Sequence, residues 1–128
     1  KGIAGIIHLF TGLMKCDGKI SNSELEKVKI LMYKYRDRLP GQYEVYRDHF
    51  MEIVEDADYK DWGHERHLTR GLDLFDQYLN AGVKHDDELD AILDMLEIIS
   101  EVDEVNDIEG EFIAQVRSHF KAKHNHAA

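Results

Sequence analysis

Apolar residues recur every three to four positions along most of the chain, the period of helices buried along one face. Ile3, Ile6, Ile7, Phe10, Leu13 and Met14 mark a first helix over residues 3–15. A break at Asp17-Gly18 follows, and a second helix is predicted from Ser21 to about Leu39, turning Leu25, Val28, Leu31, Met32 and Tyr35 inward. Ser21 has the chemistry of its cap. A serine hydroxyl accepts from the third helical N–H, a glutamate there (Glu24) reaches back to the cap's own N–H, and Ile20 stands in staple position. Pro40-Gly41 closes the helix.

The same period predicts a third helix over 42–57, with Tyr43, Tyr46, Phe50, Ile53, Val54 and Ala57 on one side. A polar loop, Asp58 to Gly63, carries Trp62, which should fold back against the core. A fourth helix over 64–80 presents Leu68, Leu72, Phe75 and Leu79, with Gly82 as its stop. A fifth over 86–102 presents Leu89, Ile92, Leu93, Leu96 and Ile99. After a second break, Asp103 to Asn106, the last helix carries Phe112, Ile113, Val116 and Phe120, and residues 123–128 read as a flexible tail. Nowhere does a strand-like alternation appear. The expectation is an all-α bundle of about six to seven helices in one domain, residues 1–128.

The two breaks echo each other. The first reads Asp17-Gly18-Lys19-Ile20-Ser21-x-x-Glu24 and the second Asp103-Glu104-Val105-Asn106-x-x-Glu109, one residue shorter and without the glycine. Asn106 and Glu109 repeat the capping box and Val105 the staple. Two helical hairpins about a pseudo-twofold axis would produce such an echo.

Composition narrows the class. One proline and nine glycines among 128 residues suit long helices. The single Cys16 has no partner for an internal disulfide and sits among apolar neighbours, a buried thiol in a reducing compartment. The apolar run Ile3–Met14 is too short to span a bilayer and lacks the cleavage site of a signal peptide, so the reading is a cytoplasmic protein without membrane insertion. Of the formal net charge of −10, all belongs to residues 84–111, where twelve carboxylates stand against one lysine. Such a surface repels nucleic acid and attracts cations or basic proteins. Oligomeric state is not legible.

Asp17-Gly18-x-Ile20-x-x-x-Glu24 matches the second half of a calcium-binding EF-hand loop, but Leu13 and Lys15 occupy positions that should be ligands, so no EF-hand is expected. The same residues resemble the TerB family, tellurite-resistance-associated helical domains also found ahead of J-domains in some co-chaperones. The resemblance extends to the degenerate second copy and to the order of helices. It implies a compact bundle with the acidic motifs close together, a part in stress-response complexes, and divalent-cation binding (Ca, Mg, Mn or Zn) carried here by Asp17, Glu24, Asp103, Asp107 and Glu109. The competing reading is that these residues only cap helices.

Independently, Asp87, Asp90, Asp94, Glu97 and Glu101 recur at spacings of three, four, three and four, placing five carboxylates on one helix face. Each like-charged neighbour pair costs roughly 0.2–0.5 kcal/mol. Lys27, Lys34 and Arg38, a divalent cation or a basic protein partner could offset that cost; a plainly solvated face is equally open. His64 and His67 share a face at a spacing of three without an evident third ligand, and read as a polar helix start. His8, on an apolar helix, reads as a core or boundary residue; His124 and His126 lie in the tail. No phosphate loop, nucleophile elbow, Cys-x-x-Cys pair or His-Pro-Asp triplet occurs. The predicted function is a non-catalytic TerB-like binding or scaffold domain. The alternative is a metal-dependent enzyme using the clustered carboxylates, a class that pairs Glu-x-x-His motifs on facing helices; here Glu44 has Arg47 at the histidine position and His49 misses the spacing.

Overall fold

A computed structural model describes residues 2–16, 20–39, 41–79, 86–100 and 107–124. Six α-helices follow one another: α1 (Gly2–Lys15), α2 (Asn22–Lys34), α3 (Tyr43–Glu55), α4 (His64–Leu79), α5 (Asp86–Ser100) and α6 (Asp107–His124). No strand occurs among the described residues, and the all-α bundle stands. None of the described helices is long and apolar enough to cross a membrane.

α1 is the central element, and its sequence explains why. A helix that is apolar all round must be covered all round. Ile6, Ile7, Leu9, Phe10, Leu13 and Met14 are all fully buried, against α4, α3, α5 and α6 in turn. Periodicity marked one stripe; the burial of Leu9, His8 and Thr11 as well makes α1 a core helix. Thr11 meets this by donating its hydroxyl proton to the Ile7 carbonyl at 2.8 Å.

The closest partnership is α1 with α4, and glycine permits it. A Cβ built on Gly5 would lie 2.8 Å from the Gly71 carbonyl oxygen and the Phe75 nitrogen; one on Gly71 would lie 2.8 Å from the Gly5 oxygen. The two backbones therefore touch. One α-helical repeat of seven residues on, Gly12 leaves room for His67 and Phe112. α2 packs on α3 and α5, and α5 on α6.

The capping box at Ser21 is present as expected. Its hydroxyl accepts from the Glu24 N–H at 3.1 Å and Glu24 Oε1 accepts from the Ser21 N–H at 3.1 Å. Ile20 and Leu25 both pack against the core, as a staple requires.

Three boundaries differ from the sequence reading. α2 ends at Lys34, not near Leu39; residues 36–38 tighten into a 3-10 turn, with the Arg38 N–H donating to the Tyr35 carbonyl at 2.9 Å. Arg36, Asp37 and Arg38 give a helix nothing to bury, and Leu39, standing before a proline, is driven into extended geometry. α3 stops at Glu55 because Asp56 caps a second 3-10 turn, Ala57–Tyr59, accepting from the Asp58 N–H at 2.9 Å. Ala57 is consequently exposed and not on the apolar side. α6 continues through Lys123 and His124, the start of the expected tail. Gly82, the break Asp103–Asn106 and residues 125–128 lie outside the described residues.

Candidate functional site

The proposed cation ligands are only partly within view. Asp17 and Asp103 lie outside the described residues. Glu24 is buried at 5% exposure and its Oε1 is engaged twice by Ser21, from the backbone N–H and the hydroxyl. Glu109 holds the same third position in α6 and is also buried, at 2%. That shared burial is the part of the echo that the described residues carry. Asp107, two residues before Glu109, is exposed. Among the described residues no group of three or more His, Cys, Asp or Glu side chains comes together as a metal would need.

The acidic row is placed as its spacing requires. Asp87, Asp90, Asp94 and Glu97 are all exposed on α5; Glu101 lies outside the described residues. Two arginines reach the row. Arg38 stands 3.8 Å from Asp94, and Arg117 of α6 pairs with Glu97. Of the three cations offered as one candidate for offsetting the row, Arg38 reaches it; Lys27 and Lys34 are exposed and make no ion pair among the described residues, and Arg117 was not foreseen. Asp87 and Asp90 have no cationic partner among the described residues. This half of the row is exposed negative charge that no described cation compensates.

A second constellation lies at the other extreme of burial. His8 on α1 and His67 on α4 are 2% and 0% exposed, their Nδ1 atoms 3.0 Å apart. Lys15 Nζ lies 2.9 Å from His67 Nε2, 2.7 Å from the Tyr59 carbonyl and 3.1 Å from the Trp62 carbonyl. An ammonium has three protons and no lone pair, so these three acceptors satisfy it completely. His67 Nε2 must then accept, its proton sits on Nδ1, and that proton is donated to His8 Nδ1. The network assigns each tautomer.

Aromatic rings enclose it. Trp62 stacks on His8 with centroids 5.6 Å apart and 20° between planes, and Tyr59 meets both edge-on, at 4.8 Å from Trp62 and 5.1 Å from His8. Arg66 covers Trp62 at 4.2 Å. Trp62 has thus folded back as its loop position suggested. Burial holds both imidazoles far below the usual 6.5, at about 4 for His8 and about 3 for His67. For His8, interactions with Arg70, His49 and Lys15 add to burial; for His67, those with Lys15, His8 and Arg66 do. Burial also lowers Lys15, with Asp61 opposing. A positive charge 2.9 Å from His67 makes this pair unfit for a metal ion.

His67 was expected in a polar helix start and is instead core; His8 is core as expected. His8 and Lys15, seven residues apart, share one face of α1 with Gly12 between them, and two such polar residues on an otherwise apolar helix are the signal that could have flagged the network. Cys16 is buried, its thiol directed to the Gly12 carbonyl at 3.5 Å.

A third pair is His119 of α6 with Asp76 of α4; His119 also lines an open groove of about 360 Å³ with Leu72, Glu111, Ala114, Gln115 and Ser118. His119 Nε2 lies 2.8 and 3.0 Å from the two Asp76 oxygens, joining α4 to α6. Set against known protein families, curated proteins and solved structures, the chain finds no match.

Proposed function

We propose that the chain is a non-catalytic binding domain of TerB-like type, whose acidic α5 face docks a basic protein segment within a stress-response assembly of the tellurite-resistance kind. One observation carries the reading: Asp87, Asp90, Asp94 and Glu97 stand exposed on one helix face, and among the described residues only the last two have an arginine beside them. The row already carries a like-charge cost that a partner's cations would relieve. A helix bearing lysines or arginines at the same three-and-four spacing offers those cations in register.

The divalent-cation reading is second. It needs Asp17 and Asp103, whereas Glu24 is already committed to a helix cap.

The test is calorimetric titration with a helical peptide carrying lysine at positions i, i+3, i+7 and i+10. Binding should weaken roughly tenfold or more between about 50 and 300 mM salt, as contacts between exposed charges do. It should disappear in the Asp87→Asn, Asp90→Asn, Asp94→Asn, Glu97→Gln variant. Equal binding by that variant, or none by the wild type at low salt, sinks the proposal. A rise in Tm with millimolar calcium, magnesium, manganese or zinc would favour the cation reading instead.

A further inference from the structure

The Lys15 ammonium ties three parts of the chain together. Two of its hydrogen bonds go to carbonyls of the segment 56–63, those of Tyr59 and Trp62, and the third to His67 of α4. Lys15 itself ends α1. Apart from these bonds the segment is held by the Tyr59 and Trp62 rings on His8 and His67 and by Arg66 over Trp62, while its 3-10 turn is three residues long and Ala57, Asp58, Lys60 and Asp61 are exposed. α1 and α4, by contrast, are joined by backbone contact at Gly5 and Gly71 and by the apolar core. The α1–α4 pairing thus has contacts of its own that do not pass through the segment.

We propose that Lys15, His67 and His8 form an acid-opened clasp, which holds residues 56–63 on the α1–α4 seam while both imidazoles are neutral and releases them when either imidazole takes up a proton. A proton on His67 Nε2 removes the acceptor for Lys15 and sets two cations 2.9 Å apart. A proton on His8 Nδ1 removes the acceptor for the His67 N–H and sets that donor against another. Either event breaks the chain of bonds that positions Lys15.

The surroundings contain little to neutralise the new charge. α1 contributes the Lys15 ammonium, α4 the Arg66 and Arg70 guanidiniums, and α3 the His49 ring. From the segment come the Tyr59 and Trp62 rings and Asp61, whose carboxylate acts on Lys15. α6 brings the Phe112 ring against Gly12 beside His67, with the buried Glu109 one turn earlier. On α5, Asp87, Asp90, Asp94 and Glu97 are exposed, and Glu88 acts on Tyr46 and Tyr78. No carboxylate pairs directly with either imidazole among the described residues. Burial and these cations together keep both rings neutral until the solution is distinctly acidic.

The chain has one tryptophan, Trp62, which lies on the clasp. Its emission reports release of the segment, and far-UV circular dichroism reports the helices. On acidification from about pH 7 to about pH 3.5, Trp62 emission should shift red before helicity falls. Replacing His8→Gln and His67→Gln keeps hydrogen-bonding capacity without a titrating ring, and should delay the shift by at least about one pH unit. Asp61→Asn should leave it in place. Lys15→Met needs no acid: it removes the tie, and Trp62 should emit red-shifted at neutral pH with helicity intact. The clasp is refuted if emission and helicity change together in the wild type. It is equally refuted if the double histidine variant titrates like the wild type, if Asp61→Asn abolishes the shift, or if Lys15→Met leaves the Trp62 emission where the wild type has it at neutral pH.

Discussion

At the α1–α4 seam one ammonium is shared among three acceptors within a wall of rings, while on α5 four carboxylates stand in water with two arginines for company. Both places put charge on a helix that also serves the core. In the seam, where both imidazoles are buried, water responds weakly, so each proton there has a designated acceptor and one added proton upsets several bonds. On α5, solvent and salt absorb most of the field, so no single carboxylate matters much and the row acts by its sum. Few buried groups give steep responses; many exposed ones give graded, salt-sensitive ones.

Acid should expose this contrast most strongly. The folded values of His8 and His67, about 4 and about 3, lie below the unfolded value of 6.5, so the unfolded chain takes up protons first. Their contribution to stability is complete above about pH 6.5 and is lost as pH falls from there toward the folded values. At about pH 5 the loss should be about 2 kcal/mol for each ring, or roughly 4 together, read from urea denaturation. The His8→Gln, His67→Gln variant should show a much flatter profile. A pH dependence unchanged by that pair would place the acid response elsewhere.

Next in size is the helix crossing under the clasp. Gly5→Ala sets a methyl group against the Gly71 oxygen and the Phe75 nitrogen, both backbone atoms that cannot swing aside. It should cost about 1–3 kcal/mol by thermal denaturation at every pH, which separates packing strain from titration. Glu24→Ala, which removes half of the capping box at the start of α2, should cost about 1 kcal/mol. On the exposed side the sign reverses. Asp87→Asn and Asp90→Asn should each raise stability by about 0.2–0.5 kcal/mol at low salt, and the gain should shrink as salt is added. Equal gains at low and high salt would mean that the row is not a matter of charge.

The helix order was legible because a 3.6-residue period needs only local sequence, and the Ser21–Glu24 box was legible because its partners are three residues apart. The acidic row was legible for the same reason: spacing along one helix fixes a face. The breaks at Leu39 and Ala57 were not, since Asp56 and the charged Arg36-Asp37-Arg38 compete locally with a helix that the apolar pattern would have continued. Least legible was the knot. His8 and His67 are fifty-nine residues apart, and the close approaches at Gly5, Gly12 and Gly71 bring their helices near enough to bond. Glycines inside helices lower helix propensity, and their use here appears only when the opposing backbone is in place. Arg117 escaped notice likewise, because it meets Glu97 across a helix pair.

Lys15 has one more consequence, for reactivity. A lysine shifted downward among aromatic rings has the usual profile of an activated nucleophile. Here all three N–H bonds are spoken for and the nitrogen has no lone pair directed at anything. Before an electrophile can react with it, the ammonium must lose a proton and let go of at least one acceptor, and acylation would then remove the charge that two carbonyls were arranged to receive. The same bonds that hold the segment in place make this amine chemically silent, and any covalent mark on it would record a moment when the clasp was open.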